Sequence, residues 1–334
     1  MIVPTHLSER DPHRLAVQVL SDCDVVRPPI DEQRMLEYFE IEITRRSFSE
    51  MPGCMHLVRE RKGAPSGMLI KDEDDGPPLV WVDPDVTRGR YRWTVFHELG
   101  HHHLGHEGDR FTDNDRTLRT AEGRSELMPT KYREAARQGV LPGITELPNG
   151  AVTPLVEETT DSARRKLEER EANLYASEMI MPSQLFAPEA RRMPTGIETI
   201  QQLREEYQTS FEATAIRYAQ ACPEKCAVVA MEPMTGAEGS FTGFTVLYVL
   251  RASRSFLSGL HQDARLPFSG LLATAWTALD NGHVTGTVTA DYFGLPSHLE
   301  IRADALRLGS YGRVLALLWL ESGQLPLAFP GGDA

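Results

Sequence analysis

Two histidines four residues apart, with a glutamate after the first, leave the chain around His97-Glu98-Leu99-Gly100-His101 little choice of backbone. On an α-helix, residues four apart project from one side, about 40° from each other, so both imidazoles can reach a single metal ion. Glu98 lies one step round the helix, beside the position the two ligands leave open. There a carboxylate can take a proton from water and later return it to a leaving amine. Imidazole plus carboxylate suits zinc, and three protein ligands leave a fourth position for water. The preceding Trp93-Thr94-Val95-Phe96 is apolar enough to bury such a helix.

The third ligand must come from elsewhere. An extended form of the motif places glycine seven and histidine ten residues after the first histidine. Those positions are Leu104 and Glu107, so His102, His103 and His106 read as flanking or supporting residues. A second candidate lies in Glu168-Glu169-Arg170-Glu171-Ala172-Asn173-Leu174-Tyr175-Ala176. Glu169 and Asn173 share a helix face, where a ligating carboxylate and a polar partner could serve one site. The clustering of Glu168, Glu169 and Glu171 equally fits a solvated acidic face, and spacing alone leaves both readings open.

The chain has 334 residues and a formal charge of −13. That length suggests about two domains, and 41% apolar content is ordinary for a folded protein. No apolar run reaches the roughly 18–20 residues a bilayer requires. The polar start MIVPTHLSERDPHR lacks a signal-peptide layout, so the chain reads as cytoplasmic, with no membrane partner. Four cysteines argue against a disulfide scaffold. The net acidity argues against a protein whose main work is coating nucleic acid.

Periodicity predicts helices over 9–22 and 31–40, then strands at 41–44, 55–59, 66–70 and 79–82. A helix carrying the histidines follows over 91–106. Residues 107–160 form a long polar stretch, with a helix over 128–138 inside it. A strong helix over 161–180 stops before Pro182. Residues 196–220 read as helix, turn, helix, with Ser210 as N-cap of the second. From about 226 the chain alternates or runs apolar with β-branched residues, with one helix over 271–280. This predicts a separate α/β domain.

The lead-in Tyr91-Arg92-Trp93-Thr94-Val95-Phe96, the HELGH core, and Glu169-Arg170-Glu171-Ala172-Asn173-Leu174-Tyr175-Ala176 running to Met181-Pro182 resemble the ImmA/IrrE family of zinc metallopeptidases. The resemblance covers roughly residues 10–183, and the later segments are similar to longer IrrE-like members whose last domain resembles GAF sensors. It implies an α+β chain in three parts: a zincin-like metallopeptidase domain with a small mixed sheet over 1–183, a helix-turn-helix-like segment over 184–225, and a GAF-like sensor domain over 226–334. It further implies that His97, His101 and Glu169 bind zinc, with manganese as an activating substitute, and that Glu98 is the general base and acid. Asn173 would support the ligands. Family members cut helix-turn-helix transcriptional repressors at one site, derepressing operons for DNA-damage responses, mobile-element transfer or anti-phage defence. Residues 107–160 depart from the family's compact spacing and are a candidate lid or partner-recognition insert.

Weaker features carry two readings each. Cys54 follows a Pro-Gly turn and could close the open zinc position as an inhibitory ligand, or be an ordinary half-buried thiol. Cys222 and Cys226 lack a second ligand pair and read as structural thiols. The second helix of the helix-turn-helix-like segment offers only Arg217 and Gln220 to a DNA groove, which favours packing or docking over sequence reading. The C-terminal domain has no lysine, and its Gly-rich strands could hold a ligand; single-stranded DNA or a small molecule is the expected class of activator. The competing function is a non-catalytic regulator in which zinc only stabilises the fold. A carboxylate beside an open position favours the enzyme, because structural zinc sites use four protein ligands.

Overall fold

The computed structural model describes residues 11–47, 66–70, 77–106, 110–113, 156–222, 226–236, 239–251, 256–257, 259–278, 283–289, 300–308 and 312–320. The chain divides into two compact units, one of Met1–Pro182 with Tyr207–Thr209, the other of Ser183–Glu206 with Ser210–Ala334. The helices of the helix-turn-helix-like segment thus fall largely in one unit with the C-terminal strands.

In the first unit, α1 (Pro12–Asp22) begins with proline at its first position, and the Asp11 carboxylate accepts from the His13 and Arg14 amides. Asp31 caps α2 (Glu32–Tyr38) in the same way. A four-stranded sheet follows with order β1-β3-β2-β4. It contains β1 (Glu42–Arg45), β2 (Gly67–Ile70), β3 (Leu79–Val82) and β4 (Arg110–Asp113). β1 runs parallel to β3, and β2 is antiparallel to both β3 and β4, so the sheet is mixed. The expected strand 55–59 and helix 128–138 lie outside the described residues. β4 falls within the stretch expected to be loop, and its pairing with β2 defines it.

Helix α3 (Arg88–His103) lies across β2, β3 and β4, and α4 (Val156–Ile180) packs against α3 and α1. From Arg92 to His101, α3 is buried without a break. A helix sandwiched between a sheet and another helix has no wet face, so every polar side chain in that stretch needs an internal partner. Arg92, 1% exposed, donates from Nη1 to Glu32 Oε2 at 2.6 Å, and Arg88 also pairs with Glu32. Burial pulls the Arg92 guanidinium below its usual pKa, with Glu32 opposing that shift. α3 begins one turn before the expected start, where Thr87 caps it.

The second unit holds α5 (Ser183–Ala190), α6 (Ile197–Tyr207, which ends at the boundary residue), α7 (Phe211–Ala221) and a six-stranded antiparallel sheet. Its order is β7-β6-β5-β10-β9-β8. The strands are β5 (Cys226–Thr235), β6 (Phe241–Arg251), β7 (Arg265–Pro267), β8 (His283–Thr289), β9 (Glu300–Leu308) and β10 (Arg313–Trp319), with α8 (Gly270–Thr277) between β7 and β8. The alternation of side chains along a strand separates two faces. Val229, Met231, Ala303, Val314, Ala316 and Leu318 join one core with Leu272, Ala275 and Trp276 of α8. The opposite set holds α6 and α7. Asp304 Oδ2 accepts from the Ile197 amide at 2.9 Å, capping α6 from the sheet. Glu212 of α7 accepts from the Tyr248 hydroxyl and lies 3.7 Å from Arg313 Nη1. Ser210 caps α7, as its position suggests, through its hydroxyl and the Ala213 amide at 3.1 Å.

Glu32→Leu leaves the Arg92 charge buried without its counter-ion and is expected to lower unfolding free energy by about 3–5 kcal/mol. Adding Arg92→Met should recover most of that loss. Denaturant unfolding of the two variants, followed by tryptophan fluorescence, checks both statements.

Candidate metal centre

The site forms where α3 meets α4. Gly100 is the reason the two helices come so close: a Cβ there would stand 3.1 Å from Ala172 Cα, 3.2 Å from the Ala172 carbonyl oxygen and 3.2 Å from Tyr175 Cβ. This approach brings the Glu169 carboxylate to the imidazoles. His97 Nε2 and His101 Nε2 are 3.1 Å apart, His97 Nε2 is 3.4 Å from Glu169 Oε2, and His101 Nε2 is 3.6 Å from Glu169 Oε1. One donor atom from each of the three lies within 4.8 Å of the others.

These separations fit a metal. Ligand bonds of about 2.0–2.1 Å in tetrahedral directions place donor atoms about 3.3–3.4 Å apart. His97 and His101 are 1% and 0% exposed, and Glu169 Oε2 is buried with no hydrogen-bond donor on it among the described residues. A buried carboxylate oxygen without a donor is costly unless a cation satisfies it. The donor set of two imidazoles and a carboxylate is of the type zinc accepts.

Glu98 is fully buried, and its Oε2 accepts from the Leu69 amide of β2 at 3.1 Å. The strand beneath the helix therefore fixes the direction of this carboxylate.

The end of α3 departs from the expected helix over 91–106. Leu104 is the C-cap and Gly105 takes φ +63°, a conformation glycine adopts without penalty. The Gly105 amide donates to His102 O and the His106 amide to His101 O, both at 3.1 Å. This paired closure folds His106 back beside the helix. Its Nδ1 lies 2.8 Å from His101 Nδ1, and its Nε2 lies 3.1 Å from Glu171 Oε2. His106 thus stands behind His101, on the far side of that ring from Nε2, the atom that faces His97 and Glu169. Glu171 had no sequence signal of its own beyond membership of an acidic cluster. The glycine after the histidine run was the readable sign that His106 would turn back.

His103 and Tyr175 occupy the same helix crossing but are committed to each other, His103 Nδ1 to the Tyr175 hydroxyl at 3.1 Å. Burial pushes the Tyr175 hydroxyl up in pKa and the His103 imidazole down, so both are neutral at pH 7. Asn173 is buried one turn beyond Glu169, and its amide makes no hydrogen bond among the described residues. Cys54 lies outside the described residues. Cys222 and Cys226 are buried thiols not joined in a disulfide, with Cys226 Sγ directed at Ala219 O. Arg217 donates to Ser183 Oγ at 2.9 Å, inside its own unit.

Residues 36–128 and 148–218 match the Peptidase_M78 family, the IrrE N-terminal-like domain, a stretch that contains His97, Glu98, His101 and Glu169. The chain belongs to the ImmA/IrrE family. Membership points to a metallopeptidase or regulator-related function. Among solved structures, a Mycobacterium tuberculosis transcriptional regulator is similar in fold at a TM-score of 0.51 and 12% identity, covering 95% of this chain and 79% of that one. No curated protein matches the chain. Among the described residues, no helix is long and apolar enough to cross a membrane.

Gly100→Val adds branched volume against helix backbone and should cost about 1–3 kcal/mol by overpacking. Because it separates α3 from α4, it should also weaken metal binding. Thermal unfolding and metal titration of the variant, compared with wild type, check the two effects separately.

Proposed function

We propose that this protein is a zinc-dependent, site-specific endopeptidase that cleaves a helix-turn-helix transcriptional repressor and so derepresses a stress, DNA-damage or anti-phage operon. The observation that carries the reading is the convergence of His97, His101 and the Glu169 carboxylate beside a buried, strand-oriented Glu98. Two imidazoles and one carboxylate leave a fourth position for water or substrate, as catalytic zinc sites do and structural ones do not. Membership of the ImmA/IrrE family supports the same activity and the repressor as substrate.

His97 and His101 would hold the metal from one helix face, and Glu169 would complete the set from the facing helix. Bound zinc supplies Lewis acidity, acidifying water and polarising the scissile carbonyl. Glu98 takes the proton from the attacking water and passes it to the leaving amine. The Leu69 amide fixes the direction of the Glu98 carboxylate. Burial of the histidines keeps competing solvent off the donor atoms and strengthens each charge interaction.

The second unit is assigned a sensing role, with single-stranded DNA or a small molecule as the activator. Its antiparallel sheet, covered by α8 on one face and α6 and α7 on the other, is compatible with a GAF-like sensor. The internal use of Arg217 and Glu212 supports docking rather than DNA reading for α7. The protein is taken to work in the cytoplasm, where its repressor substrate would be found.

The test is to mix the full chain with any helix-turn-helix repressor whose gene adjoins its own, with zinc or manganese, with and without single-stranded DNA, and to read fragments by intact mass. One discrete cut is expected, abolished by a chelator and restored by zinc. Glu98→Gln should retain zinc and lose activity by about 10²–10⁴-fold. Zinc bound without cleavage under any condition would favour a regulator in which the metal only stabilises the fold.

A further inference from the structure

We infer that His106 and Glu171 form a positioning relay that holds His101 as a metal ligand, an inference that rests on the metal-centre reading above. To bind a metal through Nε2, His101 must carry its proton on Nδ1. The atom facing that proton is His106 Nδ1, 2.8 Å away. His106 Nδ1 is then the acceptor, so its own proton lies on Nε2. That proton faces Glu171 Oε2 at 3.1 Å. The distances thus admit one consistent assignment, in which hydrogen bonds run from His101 to His106 to Glu171. A carboxylate at the end of such a chain fixes the ring plane of the ligand and makes its metal-facing nitrogen more basic.

The placement is built by two separate elements. The left-handed Gly105 closes α3 and returns His106 to the side of His101. Helix α4 supplies both carboxylates, with Glu169 at the metal-facing nitrogens and Glu171 behind the relay. His106 is 5% exposed, so solvent does not compete strongly for its ring nitrogens. Its Nδ1 is turned to the rear of His101, which gives it the part of an orienting group rather than that of a third ligand.

The relay predicts how zinc affinity responds to substitution in the full chain, measured by competition with a chromogenic chelator. Wild type should bind one zinc, and His97→Ala should lose it. His106→Leu and Glu171→Gln should each bind zinc about 10–100-fold more weakly. The cobalt-substituted forms should show a shifted visible absorption band. His106→Asn, whose Oδ1 can accept from His101, should bind more tightly than His106→Leu. In the His106→Leu background, Glu171→Gln should have no further effect, because Glu171 acts only through His106. Metal-free melting temperatures of the variants separate these changes from loss of fold, and Glu171→Gln keeps size and shape if His106→Leu does not fold. Zinc affinity unchanged in Glu171→Gln and His106→Leu, or His106→Asn no better than His106→Leu, overturns the relay alone. A wild type that binds no zinc, or His97→Ala that still binds it, overturns the metal centre itself.

Discussion

The crossing of α3 and α4 at Gly100 and Ala172 is the contact on which the rest of the site depends. Helix axes usually pack 8–10 Å apart, at a distance set by the side chains between them. Here one partner has no side chain and the other only a methyl group, so the backbones themselves meet. That approach lets a glutamate on α4 bring its carboxylate within 3.4–3.6 Å of imidazole nitrogens on α3. A larger residue at either position would move the carboxylate away from the histidines, which stay on their own helix. The HELGH glycine therefore belongs to the geometry of the site even though it bears no ligand.

Sealing α3 between the sheet and α4 sets a second demand. Its buried polar groups must find partners inside the protein, and each partner comes from a different element. Glu32 of α2 meets Arg92, the backbone of β2 meets Glu98, and Glu169 of α4 meets His97 and His101. His106, from the turn after the helix, meets His101. The same pairs that hold these groups in the interior also aim them. Stability and the orientation of the site's side chains therefore have a common origin here.

Much of this was legible in the chain. The four-residue spacing of His97 and His101 requires a helix, and the strand over 79–82 and the Ser210 cap follow from local patterning. Glu169 was weighed against a solvated acidic face and could not be separated from it by spacing, because helix periodicity does not say which helix lies opposite. The same limit hid Glu171. β4 was missed because four residues of RFTD carry no clear alternation, and pairing with β2 is a tertiary fact. α5, with Pro188 inside it, has little helical signal of its own, and its burial of Phe186 and Ala190 reflects packing in its unit. The end of α3 was misplaced by three residues, since the run of histidines suggested continuation while Gly105 stopped it.

The most direct measurement of the central claim is X-ray absorption at the zinc edge on the purified full chain. The account predicts a first shell of nitrogen and oxygen only, at about 2.0–2.1 Å, with scattering from two imidazole rings. Replacing Glu169 by alanine should remove one oxygen and leave both rings. A sulfur scatterer near 2.3 Å, a single imidazole, or a spectrum unchanged by Glu169→Ala would contradict it.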